Sequence, residues 1–444
     1  MRKLVVLGGG ESGVGTALLA SQRGMDVFLS DSGTLKENHR AELQESHIAF
    51  EENGHTEELI LSAEEVVKSP GIPEKAPIIK ALRAKGIKVV SEIEFASRYT
   101  KAKKICITGS NGKTTTTLLT HHLLRESGIR AELAGNVGTS LARQIARGDE
   151  PDWYVIELSS FQLDGMYDFK ADIAILTNIT PDHLDRYEYK FENYIRSKFR
   201  ILQNQTEEEL FICNPDDPTT MEWLEKIEIG ADLFMVSTKG ATRGAYCEEG
   251  RIFVSGTEDL VVDTSTMTIK GLHNIYNGMQ ACLAAFKAGA SAEAIKRSVA
   301  TFKNAEHRLE SVRTFEGVEY INDSKATNVD SAWYALECQT KPIVWIAGGT
   351  DKGNDYSVLY DFAREKVKAL VCLGLDNEKL MSSFKGIIPT ILETKSIEEC
   401  VGKCREIAEE GDVVLLSPCC ASFDLFNSYI HRGNQFKASV MMLK

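Results

Sequence analysis

The stretch Ile105-Cys106-Ile107-Thr108-Gly109-Ser110-Asn111-Gly112-Lys113-Thr114-Thr115 leaves the fold little choice. Its apolar start predicts a short buried strand and its two glycines a tight loop. Leu118, Leu119, His122 and Leu123 then recur at helical spacing. Strand, glycine loop and helix in that order aim backbone N–H groups and a helix N-terminus at one point, a cradle for phosphate oxygens. Lys113 can neutralise β- and γ-phosphates, and the Thr114 hydroxyl can complete a Mg²⁺ shell. Gly109, Ser110, Asn111, Gly112, Lys113, Thr114 and Thr115 are therefore the expected triphosphate site. The common loop of this kind carries a glycine with four residues between it and the Gly-Lys pair, and Ile107 stands there instead. Few nucleotide-triphosphate enzymes use this shortened TGxxGKT form, so the irregularity narrows the field. The bland alternative is a chance Gly-Lys-Thr turn.

A chain of 444 residues is too long for one core and implies two to four domains. Its net charge of −13 argues against a nucleic-acid surface, which needs a basic face. Small phosphorylated ligands need only a local basic pocket and remain allowed. The ten cysteines include Cys400 with Cys404 and the adjacent Cys419-Cys420. Neither pair has a second pair at zinc-site spacing, so reduced thiols in a cytosol are expected. Four apolar residues ahead of Gly8 are too few for a signal-peptide core, and no run nears a membrane span. The expected setting is cytoplasmic, with small-molecule partners, no nucleic acid, no membrane span and a monomeric chain.

Three segments follow one another, each alternating strands and helices, so the fold class is α/β. In the first, strand Leu4–Leu7 enters Gly8-Gly9-Gly10-Glu11-Ser12-Gly13, a GxGxxG loop. A helix through Ala17, Leu18, Leu19 and Ala20 follows, and strand Val27-Phe28-Leu29 leads to Asp31. That is a dinucleotide fingerprint with its ribose-binding acid in place, though a plain tight turn would read the same way. Val66 to Pro73 reads as a strand breaking into a loop in which Gly71 admits close approach of a ligand.

In the second segment, strands Trp153–Ile156 and Ile173–Leu176 run into Glu157 and Asn178. Open α/β sheets bind ligands at such strand ends. Ile252–Ile269 alternates between turn signals and predicts hairpin strands at a sheet edge, followed by a helix from Asn274 to Ala288. The third segment begins near Asn304. Strands at Val318–Ile321, Pro342–Ala347, Ala369–Leu373 and Val413–Leu416, with helices between them, predict a third parallel sheet.

Glu157 and His183 are the expected metal pair, a carboxylate at a strand end and an imidazole beside Asp182 and Asp185. Lys198, in Ile195-Arg196-Ser197-Lys198-Phe199-Arg200, reads from the residues alone as one charge on a solvated helix face. In the last segment Arg308 could meet an anion, and Asp323, Lys325 and Thr327 follow a strand as a phosphate and substrate clamp. Lys352 lies in the glycine-rich loop Gly348-Gly349-Thr350-Asp351-Lys352-Gly353. Ser417-Pro418-Cys419-Cys420-Ala421-Ser422 follows a strand and is expected to open a helix whose N–H groups, with Ser422, bind a carboxylate. Each loop alone is more economically read as structural. Together they place polar, ligand-ready loops at the strand ends of one sheet.

TGSNGKTTT, ELSSFQL, ITPDHLDRY, HNIYN, EHRLE, NDSKATN, AGGTDKG and LLSPCCASFDLF resemble the motifs of the Mur ligases, ATP-dependent amino-acid-adding enzymes of bacterial cell-wall precursor synthesis. With GGGESG and SPGIP the likeness spans essentially the whole chain. NDSKATN and SPCCASFD look like the D-glutamate-adding member rather than its L-alanine-, diamino-acid- or dipeptide-adding relatives. The resemblance implies a Rossmann-like UDP-binding domain over residues 1–100 and a central P-loop ATPase-like domain over 101–304. A C-terminal Rossmann-like domain over 305–444 would bind the amino acid and close over the site. Its implied substrates are UDP-N-acetylmuramoyl-L-alanine, D-glutamate and ATP, with two Mg²⁺ ions.

The same resemblance reassigns Gly10, Ser12 and Asp31 to UDP, puts Gly71 near the uracil, and puts Asn136, Ser159 and Gln162 near the muramoyl group. Thr114, Glu157 and His183 match magnesium positions, and Lys198 matches a lysine carbamylated in the family. His273, Asn274 and Asn277 match the adenine side of ATP, with Arg308 and Asp323 on the ribose and phosphate side. Lys325, Thr327, Lys352, Ser422, Phe423 and Tyr429 match D-glutamate-side positions. The implied catalytic residues are Lys113, His183, Lys198 and Lys325. Three alternatives remain at this point. A nicotinamide-dependent dehydrogenase would rest on GxGxxG and Asp31. A folylpolyglutamate-synthase-like ligase shares the short phosphate loop, and a non-catalytic nucleotide-binding module would leave the amino-acid loops of the last segment without a purpose.

Overall fold

The computed structural model of the chain describes residues 2–444. Its short aliphatic and β-branched runs form three sheets. In the first, β1 (Lys3–Leu7), β2 (Asp26–Ser30), β3 (Ala49–Glu51), β4 (Glu65–Lys68) and β5 (Lys88–Val90) are all parallel, in the order β3-β2-β1-β4-β5. The winding reverses beside β1, so the crevice at its carboxyl end is the expected ligand position of an open parallel sheet. The GxGxxG loop lies there.

The central sheet has nine strands: β6 (Lys103–Thr108), β7 (Ala131–Gly135), β8 (Trp153–Glu157), β9 (Ile173–Leu176), β10 (Leu210–Cys213), β11 (Asp232–Ser237), β12 (Gly244–Glu248), β13 (Arg251–Val254) and β14 (Val261–Asp263). Their order is β14-β13-β12-β11-β10-β9-β6-β8-β7. β13 and β14 are antiparallel edge strands, as the turn signals predict. The phosphate-loop strand β6 lies between β8 and β9, fully flanked, and its residues Ile105 to Thr108 are buried.

The third sheet runs β15-β16-β20-β17-β18-β19, from β15 (Glu310–Phe315), β16 (Val318–Asn322), β17 (Ile343–Gly348), β18 (Val367–Leu373), β19 (Thr390–Thr394) and β20 (Val413–Cys419). Every residue of β17 is buried, and burying each large apolar side chain stabilises by about 1.5–3 kcal/mol. The Trp345 ring nitrogen, buried with them, donates to the Ser417 carbonyl at 2.8 Å.

Two sequence expectations are corrected here. The third sheet is not wholly parallel: β15 pairs antiparallel with β16. Glu316 and Gly317, at φ +50° and +75°, make the two-residue turn with positive φ that closes a hairpin. Nor does Pro418-Cys419-Cys420 open a helix. β20 continues through Pro418 to Cys419, Ala421 bridges to Thr350, and the next helix starts only at Tyr429. Proline is tolerated in this inner strand because pairing with β16 has ended at Leu416 and the β17 ladder shifts register before Cys419.

Contacts divide the chain into two compact units. One runs to Thr268 and resumes over Tyr276–Phe302, and so contains the first two sheets; the other comprises Ile269–Ile275 and Lys303–Lys444. Inside the first unit, helix Glu11–Gln22 packs on helix Leu141–Arg147. A Cβ at Gly15 would come within 2.3 Å of Ser140 Oγ, so glycine permits that approach.

Candidate active site

The phosphate loop is built by its own glycines and held from the next strand. Gly112 caps helix Lys113–Glu126 at φ +82°, where a Cβ would also meet Asn277 Oδ1 at 2.4 Å. A Cβ on Gly109 would stand 1.8 Å from Thr177 Oγ1. The segment after β9 clamps the loop. Ser110 N–H donates to the Asn178 carbonyl at 2.9 Å and Asn111 N–H to Asn178 Oδ1 at 3.0 Å. Asn178 Nδ2 and Thr177 Oγ1 both donate to the Asn111 carbonyl, at 3.1 and 2.6 Å. Lys113 Nζ lies over the loop and donates to the carbonyls of Gly109 and Ser110, both at 2.7 Å. Thr114 and Thr115 are buried at the start of the helix. The result is a rigid anion cradle with its cation in place.

Beneath it lies Lys198. Helix Phe191–Phe199 buries Tyr194, Ile195, Ser197, Lys198 and Phe199, so the solvated-face reading of Lys198 is wrong. Its Nζ donates to the Gly109 carbonyl at 2.8 Å and to Thr108 Oγ1 at 3.2 Å, and lies 5.2 Å from the Tyr194 ring centre. Burial, reinforced by the charge of Lys113, pushes the Lys198 ammonium well below its ordinary range. Asp182, Glu157 and Asp164 oppose that shift. Burial and the neighbouring Lys113 charge both favour the neutral amine of Lys198 over its ammonium.

Glu157 ends β8 with its side chain buried. Its Oε1 accepts from Asn136 Nδ2 at 3.3 Å, and its Oε2 has no hydrogen-bond partner among the described residues. His183 takes the left-handed conformation at φ 52°, its Nε2 3.6 Å from Asp182 and its ring edge-on to Phe161. Among the described residues no three His, Cys, Asp or Glu side chains form a metal cage. A lone buried carboxylate oxygen instead fits Mg²⁺, which keeps waters and takes its remaining ligands from phosphates. Ser159 and Gln162 form a reciprocal capping box, with Gln162 Oε1 accepting from Ser159 N and Oγ, both at 2.9 Å.

The GxGxxG loop is a separate cluster. A Cβ on Gly13 would lie 1.8 Å from the Gly8 carbonyl oxygen, so that glycine is required for the loop to close on the helix. Gly10 caps helix Glu11–Gln22 and Ser12 lies in its first turn, while Gly71 occupies an exposed turn with open space about it. Asp31 Oδ2 accepts from Gly9 N at 2.5 Å and Oδ1 from Gly33 N at 2.7 Å. Both oxygens therefore shape the loop, and a ligand hydroxyl would share them.

The remaining candidates, apart from Asn277, belong to the second unit. His273 is half-buried against Tyr334, ring centres 4.9 Å apart, and desolvation followed by the charge of Arg308 lowers its pKa to about 4. Asn274 Nδ2 donates to the Lys270 carbonyl at 2.8 Å. Asp323 accepts from Ser417 Oγ at 3.0 Å and Leu309 N at 3.2 Å, and its complete burial raises its pKa to about 7. Lys325 Nζ lies 5.5 Å from the Tyr429 ring centre, and Thr327 N–H donates to the Lys325 carbonyl at 2.9 Å. Lys352 is exposed on a loop wound around the Asp351 carboxylate. Ser422 is buried, whereas Phe423 is 75% exposed.

Comparison with known proteins fits this geometry. The Mur ligase MurD-like N-terminal domain matches residues 2–91, the Mur ligase middle domain 107–285, and the Mur ligase glutamate ligase domain 307–420. A UDP-N-acetylmuramoylalanine--D-glutamate ligase of Christiangramia forsetii is 51% identical over 444 residues, covering all of both chains. One of Bacteroides fragilis is 51% identical over 445 residues, again covering all of both. The chain belongs to the Mur ligase family. The solved UDP-N-acetylmuramate-alanine ligase of Thermotoga maritima shares this Mur ligase fold, with a TM-score of 0.63 at 17% identity over the full length of both chains.

Two residues that shape this Mur ligase's candidate site, Tyr194 and Arg432, escaped the sequence reading, whereas Asn178 was marked there only as a strand end. Asn178 and Tyr194 hold the phosphate loop; Tyr194 OH shares a hydrogen bond with Ser110 Oγ at 3.1 Å. Arg432, buried on helix Tyr429–Met441, ties three loops together. Its guanidinium donates to Ser324 Oγ and carbonyl (3.0 and 2.8 Å), the Gly348 carbonyl (3.4 Å) and the Cys420 carbonyl (3.3 Å). A signal existed for Arg432. It shares four-residue spacing with Phe436 and Val440, which puts a charge on the buried face of its helix.

Proposed function

We propose that this Mur ligase joins the amine of D-glutamate to the L-alanyl carboxylate of UDP-N-acetylmuramoyl-L-alanine, consuming ATP, in cytoplasmic synthesis of peptidoglycan precursors. The observation that carries the reading is the phosphate cradle itself: Lys113 and buried Lys198 both donate to the Gly109 carbonyl of the loop, and the partnerless Glu157 oxygen ends the strand paired with β6. The name borne by relatives at half identity over the whole length supports the choice of amino acid. We assign UDP binding to residues 1–100, ATP to 101–304 and D-glutamate to 305–444. Among the described residues no helix is long and apolar enough to cross a membrane.

A carboxylate does not condense with an amine in water until it is activated. In the proposed sequence the alanyl carboxylate attacks the γ-phosphorus, the bond to the β-phosphate oxygen breaks, and ADP leaves. The D-glutamate amine then attacks the acyl phosphate carbon, loses a proton and expels phosphate. Bringing a carboxylate to 4 Å from a phosphate charge costs about 4 kcal/mol per unit pair at an effective dielectric of ~20. Lys113 and Lys325 offset this repulsion by position and charge. Mg²⁺, which Thr114, Glu157 and His183 would hold, supplies further charge neutralisation when bound. The neutral Lys198 amine can add to CO₂, forming an N–C bond and releasing a proton, which turns a buried neutral amine into an anion.

The test is phosphate release from ATP with UDP-N-acetylmuramoyl-L-alanine and a panel of amines, in CO₂-stripped and bicarbonate-supplemented buffer. Release that requires D-glutamate and rises with bicarbonate supports both assignments. Equal release with D- and L-glutamate, or none with any amine, rejects the substrate reading. Bicarbonate independence rejects the role of Lys198.

A further inference from the structure

The first residue of the helix that would receive the nucleotide's diphosphate is an acid, Glu11. An anionic ligand and an acidic side chain compete for the same helix N-terminus. Glu11 is also the only charged residue in Gly8-Gly9-Gly10-Glu11-Ser12-Gly13, so this loop carries no cation of its own.

The neutralising charge comes from the central sheet. Arg143, on helix Leu141–Arg147, donates from Nε to Glu11 Oε1 at 2.8 Å and from Nη1 to Glu42 Oε2 at 2.5 Å. Ser140 N–H approaches the same Glu11 oxygen at 3.4 Å. The Arg143 side chain is only 9% exposed, and its Nη2 is buried without a hydrogen-bond partner among the described residues. His39 stands 4.0 Å from the other Glu11 oxygen, its Nδ1 donating to the Gly9 carbonyl at 3.0 Å. Glu92 packs on the same helix, where its carboxyl accepts Ala142 N–H at 2.6 Å. Arg143 thus faces two carboxylates, Glu11 and Glu42. A merely structural contact buried this deeply would be served as well by an apolar side chain, whereas a charge-balancing one needs a cation.

We propose that Arg143 is a positioning residue that acts through Glu11, drawing the acid aside and cancelling its charge so that the first glycine loop can hold a nucleoside diphosphate. The inference rests on reading the first sheet as the UDP site. It deepens that reading by naming a residue of the neighbouring sheet on which diphosphate affinity depends.

The experiment compares binding of UDP, UMP and uridine to the wild-type full chain, Arg143→Met, Arg143→Lys and the double variant Glu11→Gln/Arg143→Met by calorimetry and competition. Arg143→Met should weaken UDP about tenfold, UMP less and uridine hardly at all, since only the charged ligands sense the uncovered acid. Arg143→Lys should keep most of the UDP affinity. The double variant, which removes both charges, should return to within about threefold of wild type. An unchanged KM for ATP in all variants reports an intact central site. Equal weakening of uridine and UDP, or a double variant as poor as Arg143→Met, overturns the proposal in favour of a structural clamp. A wild type that binds UDP no better than uridine overturns the diphosphate reading of the loop, and this proposal with it.

Discussion

Two glycine loops in this chain share one plan, a parallel strand running through glycines into a helix N-terminus, yet they solve the charge problem differently. The central loop is self-contained. Its cation, Lys113, follows the last glycine directly, and the clamp from Thr177 and Asn178 comes from the adjacent strand. The first loop has an acid at the equivalent turn, and its counter-charge, Arg143, comes from another sheet. On the proposed reading, backbone N–H groups bind phosphate in both loops, while the charge beside each is local in one and borrowed in the other.

The largest expected effect lies in the self-contained loop. Lys113→Ala should lower turnover on the order of 10²–10³-fold, the loss typical of one charge-stabilising donor. Steady-state phosphate release at saturating ATP measures it. Turnover near that of the wild type would remove the phosphate-loop assignment and, with it, the contrast between the loops.

That contrast also governs what could be read from the sequence. The central loop was legible because its glycines, lysine and threonines are consecutive, and three parallel-sheet strands around it have plain aliphatic runs. Asp31 was legible as an acid in the right place. Its commitment to Gly9 and Gly33 N–H groups was not, because backbone partners carry no side-chain signature. Lys198 looked solvated because Arg196 and Arg200 flank it, but only Lys198 turns inward with Tyr194 and Ile195. Arg143 and Arg432 were missed for a related reason. Glu11 for Arg143 and Ser324 for Arg432 lie over a hundred residues away, and no local pattern announces a contact of that range. The helix expected to open in Ser417–Ser422 is absent because β20 continues through Pro418, which falls where the ladder no longer needs its N–H.

A smaller effect probes the first loop's geometry. In Gly13→Ala the new methyl would meet the Gly8 carbonyl oxygen, a backbone atom that moves only with its strand. Overpacking of this kind costs about 1–3 kcal/mol. Thermal unfolding should show a lower midpoint, and UDP affinity should fall while the KM for ATP holds. A variant with an unchanged midpoint and unchanged UDP affinity would mean the loop is looser than its central counterpart.

The smallest effect tests how far borrowed charges couple the first loop to the central sheet. Burial, then the nearby charge of Glu11, raises the Glu92 pKa to about 7. Hydrogen bonds from Ala142 and Leu141 N–H groups oppose the shift. A carboxyl raised above its unfolded value holds a proton in the folded state that the unfolded chain has already released. Between pH ~4.5 and 7 the folded state therefore binds more protons, and this group's contribution to stability falls as pH rises through that window. Glu92→Gln removes the titration while its amide oxygen can still accept the Ala142 N–H. The variant should match the wild type near pH 5 and exceed it above pH 7, with a slope difference of at most about 1.4 kcal/mol per pH unit. Unfolding midpoints at pH 5, 6, 7 and 8 decide the matter. Parallel curves would show that Glu92 ionises as a solvent-exposed acid does, and that the carboxylates around Arg143 act independently. A divergence that persists but narrows once Glu11→Gln is added to both would show the opposite: the acid of the first loop is felt across the seam between the sheets, on top of the larger effect of burial.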